Sequence, residues 1–206
     1  MKTILAIGGA VIKTAKEELR KVIEADKIEM LIHNGGSIFH DFQQATEDLP
    51  GHSHPIDKLT EDYSCNRHAS KLVWKWIHGG SSPENSITNL CFQKGIEVLL
   101  FSGQACDFWQ MFGTADDWAE FGRDSFFNFK VLTRRFITPF HYICMGSAVI
   151  HPEVFIKAVA GAHPEEFVAD VVDFKDMYRP RTRVAKFGTY YKMTHKEFLA
   201  RWLTAK

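Results

Sequence analysis

Neither charge is in excess in this sequence: 25 Lys and Arg balance 25 Asp and Glu over 206 residues. A nucleic-acid binder usually carries a basic surplus and a membrane-surface protein a basic patch, so the balance argues against both partners. Apolar runs long enough to span a bilayer are also missing. Cysteine is sparse. Cys65, Cys91, Cys106 and Cys144 stand far apart, two of them in apolar runs. That spacing suits reduced, buried thiols of a cytoplasmic protein better than a disulfide framework. There is no Gly-x-Gly-x-x-Gly fingerprint, and no Walker-type Gly-Lys-Ser/Thr, which argues against a nucleotide triphosphatase. No internal repeat or low-complexity segment is found.

What is present suits a well-packed α/β fold. Hydrophobic residues make up 45% and aromatics 13%, with 17 Phe and 5 Trp, enough to bury a core in one domain over residues 1–206. The opening Met1-Lys2-Thr3-Ile4-Leu5-Ala6-Ile7 could pass for a short signal sequence. Lys13 and Lys16 follow at once and no small-x-small cleavage site is present, so a strand ending at Gly8-Gly9 is the expected reading. Apolar runs of strand length then alternate with helical patterns. Strands are predicted at 3–7, 28–33, 96–101, 141–145 and 167–174. Helices are predicted at 14–25, with Leu19, Val22 and Ile23 on one face, and at 37–46, 67–78, 84–94, 152–160 and 194–203. Thr194 and Glu197 are placed for a capping box on the last. Residues 179–191 read as basic and irregular. The alternation predicts a Rossmann-like, mostly parallel sheet with helices on both faces, and a ligand mouth beyond the C-terminal strand ends.

The stretch Ile32-His33-Asn34-Gly35-Gly36-Ser37 carries the clearest functional signal. It reads as a strand entering a glycine turn and then a helix. Glycines there are expected to take positive φ and admit a ligand to the main chain, and the helix N-terminus to attract phosphate or carboxylate. Ser102-Gly103 and Gly146-Ser147 end two further strands in the same way. His52, His54, Cys65 and His68 have residue types and spacings found in zinc sites. An exposed His-x-His in a Gly/Pro loop is the commoner arrangement, and no metal is expected. Cys106, beside Asp107 and Phe108, is expected to be a packing residue rather than a nucleophile. Phe108, Trp109, Phe112, Trp118, Phe121, Phe126, Phe127 and Phe129 recur at roughly helical spacing, as core or as a subunit interface. The cluster Arg179, Arg181, Arg183 and Lys186 is either a solvated charge run or an anion-binding loop over the strand ends.

Taken in order, these segments resemble the deoxyhypusine synthase family. The glycine segment before a first helix is similar to Gly8-Gly9-Ala10-Val11-Ile12-Lys13, and the strand, Gly-Gly turn and acidic residue to the run from Ile28 to Asp41. Ser86-Ile87 through Gly95-Ile96-Glu97-Val98, then Ser102 to Asp107, follow in the family's order. So do Gly146-Ser147-Ala148-Val149-Ile150-His151, Tyr178-Arg179-Pro180 and Phe187-Gly188. The resemblance implies a Rossmann-like domain binding NAD and transferring an aminobutyl group from spermidine to a protein lysine through an imine on a catalytic lysine.

Mapped onto this chain, it implies cofactor contacts from Gly8, Gly9, Gly35, Gly36, Ser37, Asp41, Ser102, Gly103, Asp107, Gly146 and Ser147. It implies catalytic roles for Lys186 and His151, and Asp41, Asp107, Glu153 and Trp109 around an amine or nucleotide ligand. It also implies a homo-oligomer, a dimer or tetramer, with sites between subunits. The sequence departs from the family where the lysine should stand: Thr189 follows Phe187-Gly188, with Lys186 before that pair and Lys192 beyond it, and a histidine pair is reduced to His151-Pro152. Two expectations follow: an NAD-dependent enzyme acting on an amine with Lys186 as nucleophile, or a non-catalytic homo-oligomer that binds a nucleotide or a partner.

Overall fold

The structure, a computed structural model, describes residues 1–46, 80–101 and 115–205. Six short segments pair into one all-parallel sheet. They are β1 (Lys2–Ile7), β2 (Met30–Asn34), β3 (Glu97–Phe101), β4 (Phe140–Met145), β5 (Phe167–Val172) and β6 (Tyr190–Tyr191), in the spatial order β3-β2-β1-β4-β5-β6. The helices are α1 (Gly9–Glu24), α2 (Gly35–Ala45), α3 (Ile87–Gln93), α4 (Ala115–Arg135), α5 (Ile150–Ala162) and α6 (His195–Thr204). This is the Rossmann-like α/β architecture expected. Among the described residues no helix is long and apolar enough to cross a membrane.

Successive strand side chains point to opposite faces, so each strand feeds two cores. Leu5, Ile7, Leu31 and Ile143 pack with Val11, Ile12, Leu19, Val22 and Ile23 of α1, Ile87 of α3 and Leu199 of α6. Ile4, Ala6, Ile32 and Tyr142 pack on the other face with Leu132 of α4 and Phe155 of α5. Phe155 is fully buried and stacks on Tyr142 at 4.6 Å between ring centroids. α1 starts well before its predicted position and bends at Ala15, whose φ of −147° is not helical. Thr14 Oγ1 donates to the Ala10 carbonyl at 2.8 Å, a back-bond of the kind that bends helices. α6 opens as predicted, with Thr194 and Glu197 capping each other.

Residues 179–191 are more ordered than their charges suggested. Pro180–Val184 form a π-helical turn and Ala185–Phe187 a 3₁₀ turn, and the chain then enters β6. The three arginines of this segment have acidic partners: Arg183 and Arg179 meet Glu153 at 2.7 and 3.4 Å, and Arg181 meets Asp176 at 2.7 Å. On α4, Phe121 is buried and Phe129 packs against the core, while Phe126 and Phe127 are exposed.

Phe155→Ala leaves a cavity against Tyr142 and Phe136, and should lower the unfolding free energy by about 4 kcal/mol. Urea denaturation followed by circular dichroism measures it; a loss under about 1 kcal/mol would mean this core is not packed as described.

Candidate functional site

The chain leaves β1 and β4 in opposite directions. α1 covers the face that holds Leu5 and Ile7, whereas α5 covers the face that holds Ile4 and Ala6. The strand order therefore reverses between β1 and β4, and a crevice opens beyond their ends. Gly8 and Gly146 meet at its floor. The Gly8 N–H donates to the Met145 carbonyl at 2.9 Å, and a Cβ on Gly8 would lie 1.9 Å from the Gly146 oxygen. Gly146 has φ of +63°, and a Cβ there would stand 3.1 Å from both the His195 ring and Val11. Gly8 is also the N-cap of α1, and no side chain caps that helix.

The other glycines work differently from expectation. Among the described glycines only Gly80, Gly95 and Gly146 have positive φ. Gly35 and Gly36 are already helical, because Asn34 caps α2: its side chain accepts from the Ser37 N–H, and Ser37 Oγ accepts from the Asn34 N–H, both at 2.9 Å. A Cβ on Gly9 would come within 3.2 Å of the Gly36 backbone and 2.9 Å of His40, so the pair lets α1 and α2 approach closely. Asn34 Nδ2 also reaches Ser147 Oγ across the crevice, at 3.4 Å.

Behind the α2 turn runs a buried polar chain. Asp41 is fully buried. Its carboxylate accepts from the N–H groups of Ile87 and Thr88 at 2.8 and 2.9 Å, and from the Thr88 hydroxyl at 2.8 Å. Lys16 Nζ lies 3.6 Å away. Thr88 gives its proton to Asp41 and its oxygen stands 3.3 Å from His33 Nε2, while His33 Nδ1 stands 2.9 Å from Ser37 Oγ. Burial lowers the His33 pKa to about 4, against an opposing pull from Asp41. Asp41, expected at the cofactor, is thus committed to the N-terminus of α3.

Two further imidazoles flank the crevice floor. His151, fully buried in α5, donates from Nε2 to the Ile7 carbonyl at 2.9 Å, and its Nδ1 has no partner. Burial lowers its pKa to about 4; the bond to Ile7 opposes this, and His33 adds to it. His195 opens α6. Its Nδ1 lies 3.5 Å from Thr14 Oγ1, and its Nε2, at the Gly146 side, is buried without a partner. Both rings are held neutral by desolvation.

Several expected site residues stand elsewhere. Lys186 is exposed in the 3₁₀ turn that precedes β6. β6 runs parallel to β5, so whatever precedes it lies toward the N-terminal end of the sheet. The neighbouring Phe187 packs on Phe167, the first residue of β5, at 5.1 Å. Lys186 and His151 are therefore not brought together within one chain, and Lys192 is the lysine that follows the C-terminal end of β6. Glu153 holds Arg183, Arg179 and Lys157 and is not free for an amine; burial would raise its pKa, but Lys157 and Arg183 outweigh that and lower it. Ser102, Gly103, Cys106, Asp107 and Trp109, and the candidate zinc ligands His52, His54, Cys65 and His68, lie outside the described residues. Cys91 and Cys144 are buried and free, and burial, with a smaller push from Asp41, raises the Cys91 thiol to about 12.

Sequence reasoning missed His33, Thr88 and His195. Asn34 was legible as an N-cap three residues before Ser37; no local signal marks the others.

Neither a protein-family model nor any curated protein sequence matches the chain. Solved structures do match in fold. The ternary complex of AgrE with ornithine and NAD+ superposes over 98% of this chain and 29% of its own, with a TM-score of 0.65 and 13% identity. A candidate LOR/SDH protein from Methanococcus maripaludis S2 aligns over 98% of this chain and 60% of its own, with a TM-score of 0.60 and 14% identity. A candidate deoxyhypusine synthase from Entamoeba histolytica aligns over 98% and 73%, with a TM-score of 0.58 and 8% identity. The chain thus spans less than a third of the first and three fifths of the second. It has the Rossmann-like fold over which these proteins superpose.

Asp41→Ala removes the acceptor of three hydrogen bonds and leaves Lys16 without its partner, at an expected cost of about 3–5 kcal/mol. Asp41→Asn should cost less, and a urea titration in which both variants match the parent would dismiss the network as a stabilising element.

The histidines predict the acid limit of the fold. The unfolded chain binds protons near pH 6.5, whereas His33 and His151 in the folded chain refuse them until about pH 4. Their neutral burial costs nothing extra above pH 7, and stability is lost as pH falls from 6.5 to 4, by up to about 3 kcal/mol for each. Denaturation midpoints at pH 7.5, 6 and 5 test this, and a flat profile would contradict it.

Proposed function

We propose that this chain binds a nicotinamide adenine-type dinucleotide across the β1–β4 crevice, with its diphosphate at the N-terminus of α1. One observation carries the reading: the strand order reverses at a point where Gly8 leaves α1 without a side-chain cap. An uncapped helix N-terminus offers N–H groups and a positive dipole end to an anion, and α1 has no acidic residue in its first turn to compete. The shared fold with a protein solved in complex with NAD+ supports the same ligand class.

The residues present fit the diphosphate better than the ribose. Dinucleotide folds place an Asp or Glu near the end of the second strand to hold the ribose hydroxyls. Here that end is Asn34, whose side chain already caps α2 and reaches Ser147. Asn34 and Ser147 would line the diphosphate, and Gly8 and Gly146 would let it approach the backbone. When bound, the dinucleotide would supply a hydride acceptor. The chain's own part is to orient it and to exclude water at the buried floor.

A second reading, binding without amine transfer, is favoured by the position of Lys186, exposed toward the N-terminal end of the sheet. The imine chemistry that the resemblance implies cannot be assigned to that lysine within one chain. A polyamine substrate and a site completed between subunits both belong to the first reading.

Calorimetry with NAD+ should give a dissociation constant on the order of 10 µM. Ala10→Asp, which places a carboxylate in the first turn of α1, should weaken binding at least tenfold while leaving the helix intact, because acidic residues suit that position. No binding to folded protein, or an unchanged affinity in Ala10→Asp, would overturn the assignment. Tighter binding with spermidine present would favour the amine enzyme over the binding protein.

A further inference from the structure

His195 is one of the buried groups whose polar atom the fold leaves without a partner, and it is the one that lies against Gly146. Its ring lies over Gly146, where that residue's missing side chain makes room for it, and touches the floor of the crevice. Thr14 Oγ1 gives its proton to the Ala10 carbonyl and therefore accepts from His195 Nδ1–H. That fixes the tautomer: Nε2 is a bare lone pair, shielded from water and without a donor. A buried acceptor left in this state costs free energy that a partner would recover. Protonation at Nε2 would break no existing hydrogen bond.

The surroundings of the ring are otherwise nearly uncharged. α1 presents Val11 and Thr14, and Gly146 follows the end of β4. After β5 come Asp173, the charged group within electrostatic reach, and the edge of Phe174 at 6.1 Å between centroids. The next residue of α6, Lys196, is paired with Glu18 at 3.3 Å. Desolvation holds the imidazole below its ordinary pKa and Asp173 opposes it, so a further negative charge nearby would favour proton uptake.

We propose that anion binding at the N-terminus of α1 is coupled to proton uptake by His195, whose new Nε2–H would face the bound diphosphate. The inference rests on the dinucleotide reading for the identity of the anion. The step is a protonation only: one proton moves from solvent to Nε2, and no other bond changes. By linkage, a ligand that raises the His195 pKa binds more tightly as pH falls, up to about tenfold per pH unit for one proton. The site would then release its ligand at high pH and hold it at low pH, until the acid limit set by His33 and His151.

The test is calorimetry of NAD+ and of ADP-ribose near pH 6.5, in buffers of different ionisation enthalpy. The diphosphate diester of both probes does not itself titrate in this range. Expected is an uptake on the order of half a proton per ligand bound, for both probes, lost in His195→Gln. If that variant fails to fold, an NMR titration of the His195 ring in the wild-type protein serves instead, its pKa rising on addition of ADP-ribose. Binding with no proton uptake would overturn the coupling and leave the dinucleotide reading standing. Uptake with ADP-ribose but no binding of NAD+ would keep the coupling and end the nicotinamide assignment. Binding of neither probe to folded protein would end both.

Discussion

The buried carboxylate of Asp41 ties α2 to α3 and α1 and, through Thr88, to β2. It sits in α2, receives the first N–H groups of α3, draws Lys16 of α1 to 3.6 Å, and through Thr88 orients His33 of β2. Removing a carboxylate from water costs several kcal/mol, and only a full set of partners repays it. Here the partners come from α3 and α1, with His33 of β2 joined through Thr88, so the charge is tolerated only when these elements are docked on α2. Polar contacts run on from Asp41 through Thr88 and His33 to Ser37, which stands in the turn that opens α2. The crevice wall thus inherits its shape from a charge that never meets solvent.

The glycines at the strand ends follow from the same demand for close approach. Gly9 and Gly36 let two helices cross, and Gly8 and Gly146 let two strand ends stay paired until their chains part to opposite faces. Gly146 alone among these four needs the left-handed backbone region. A glycine pair after a strand can therefore be a packing device and still leave an uncapped helix end. Here α1 is that helix, and α2 is closed by Asn34.

Much of the fold was legible because its signals are local. Apolar runs such as Val98-Leu99-Leu100-Phe101 read as buried strands, and Leu19, Val22 and Ile23 marked the buried face of α1. Thr194 and Glu197 are three residues apart, so their capping box was visible in sequence. The π turn and the two-residue β6 were hidden. Arg179 and Arg183 look solvated until Glu153, more than twenty residues earlier, is brought beside them. Lys186 was placed by resemblance to a motif that ends one residue differently here, and the parallel direction of β6 puts it at the far end of the sheet. His195 carried no local mark, since its missing partner exists only once α6 lies across Gly146.

Apart from Asp173 beside His195, the crevice has its described charges paired or suppressed. Asp41 is neutralised within the wall, Glu153 is engaged by three cations, and His151 and His195 are held neutral by desolvation. What is left to attract an anion is the dipole of α1, which contributes about 0.3–1 kcal/mol, more where water is excluded. Such a site binds weakly unless the ligand brings further interactions or changes the charge of the wall. His195 is a described group at the floor that can change it at little structural cost, because its bare Nε2, beside Gly146, has no bond to lose. A neutral crevice with one proton-ready imidazole can discriminate ligands by the charge they carry, while a permanently cationic one would hold any anion that reached it.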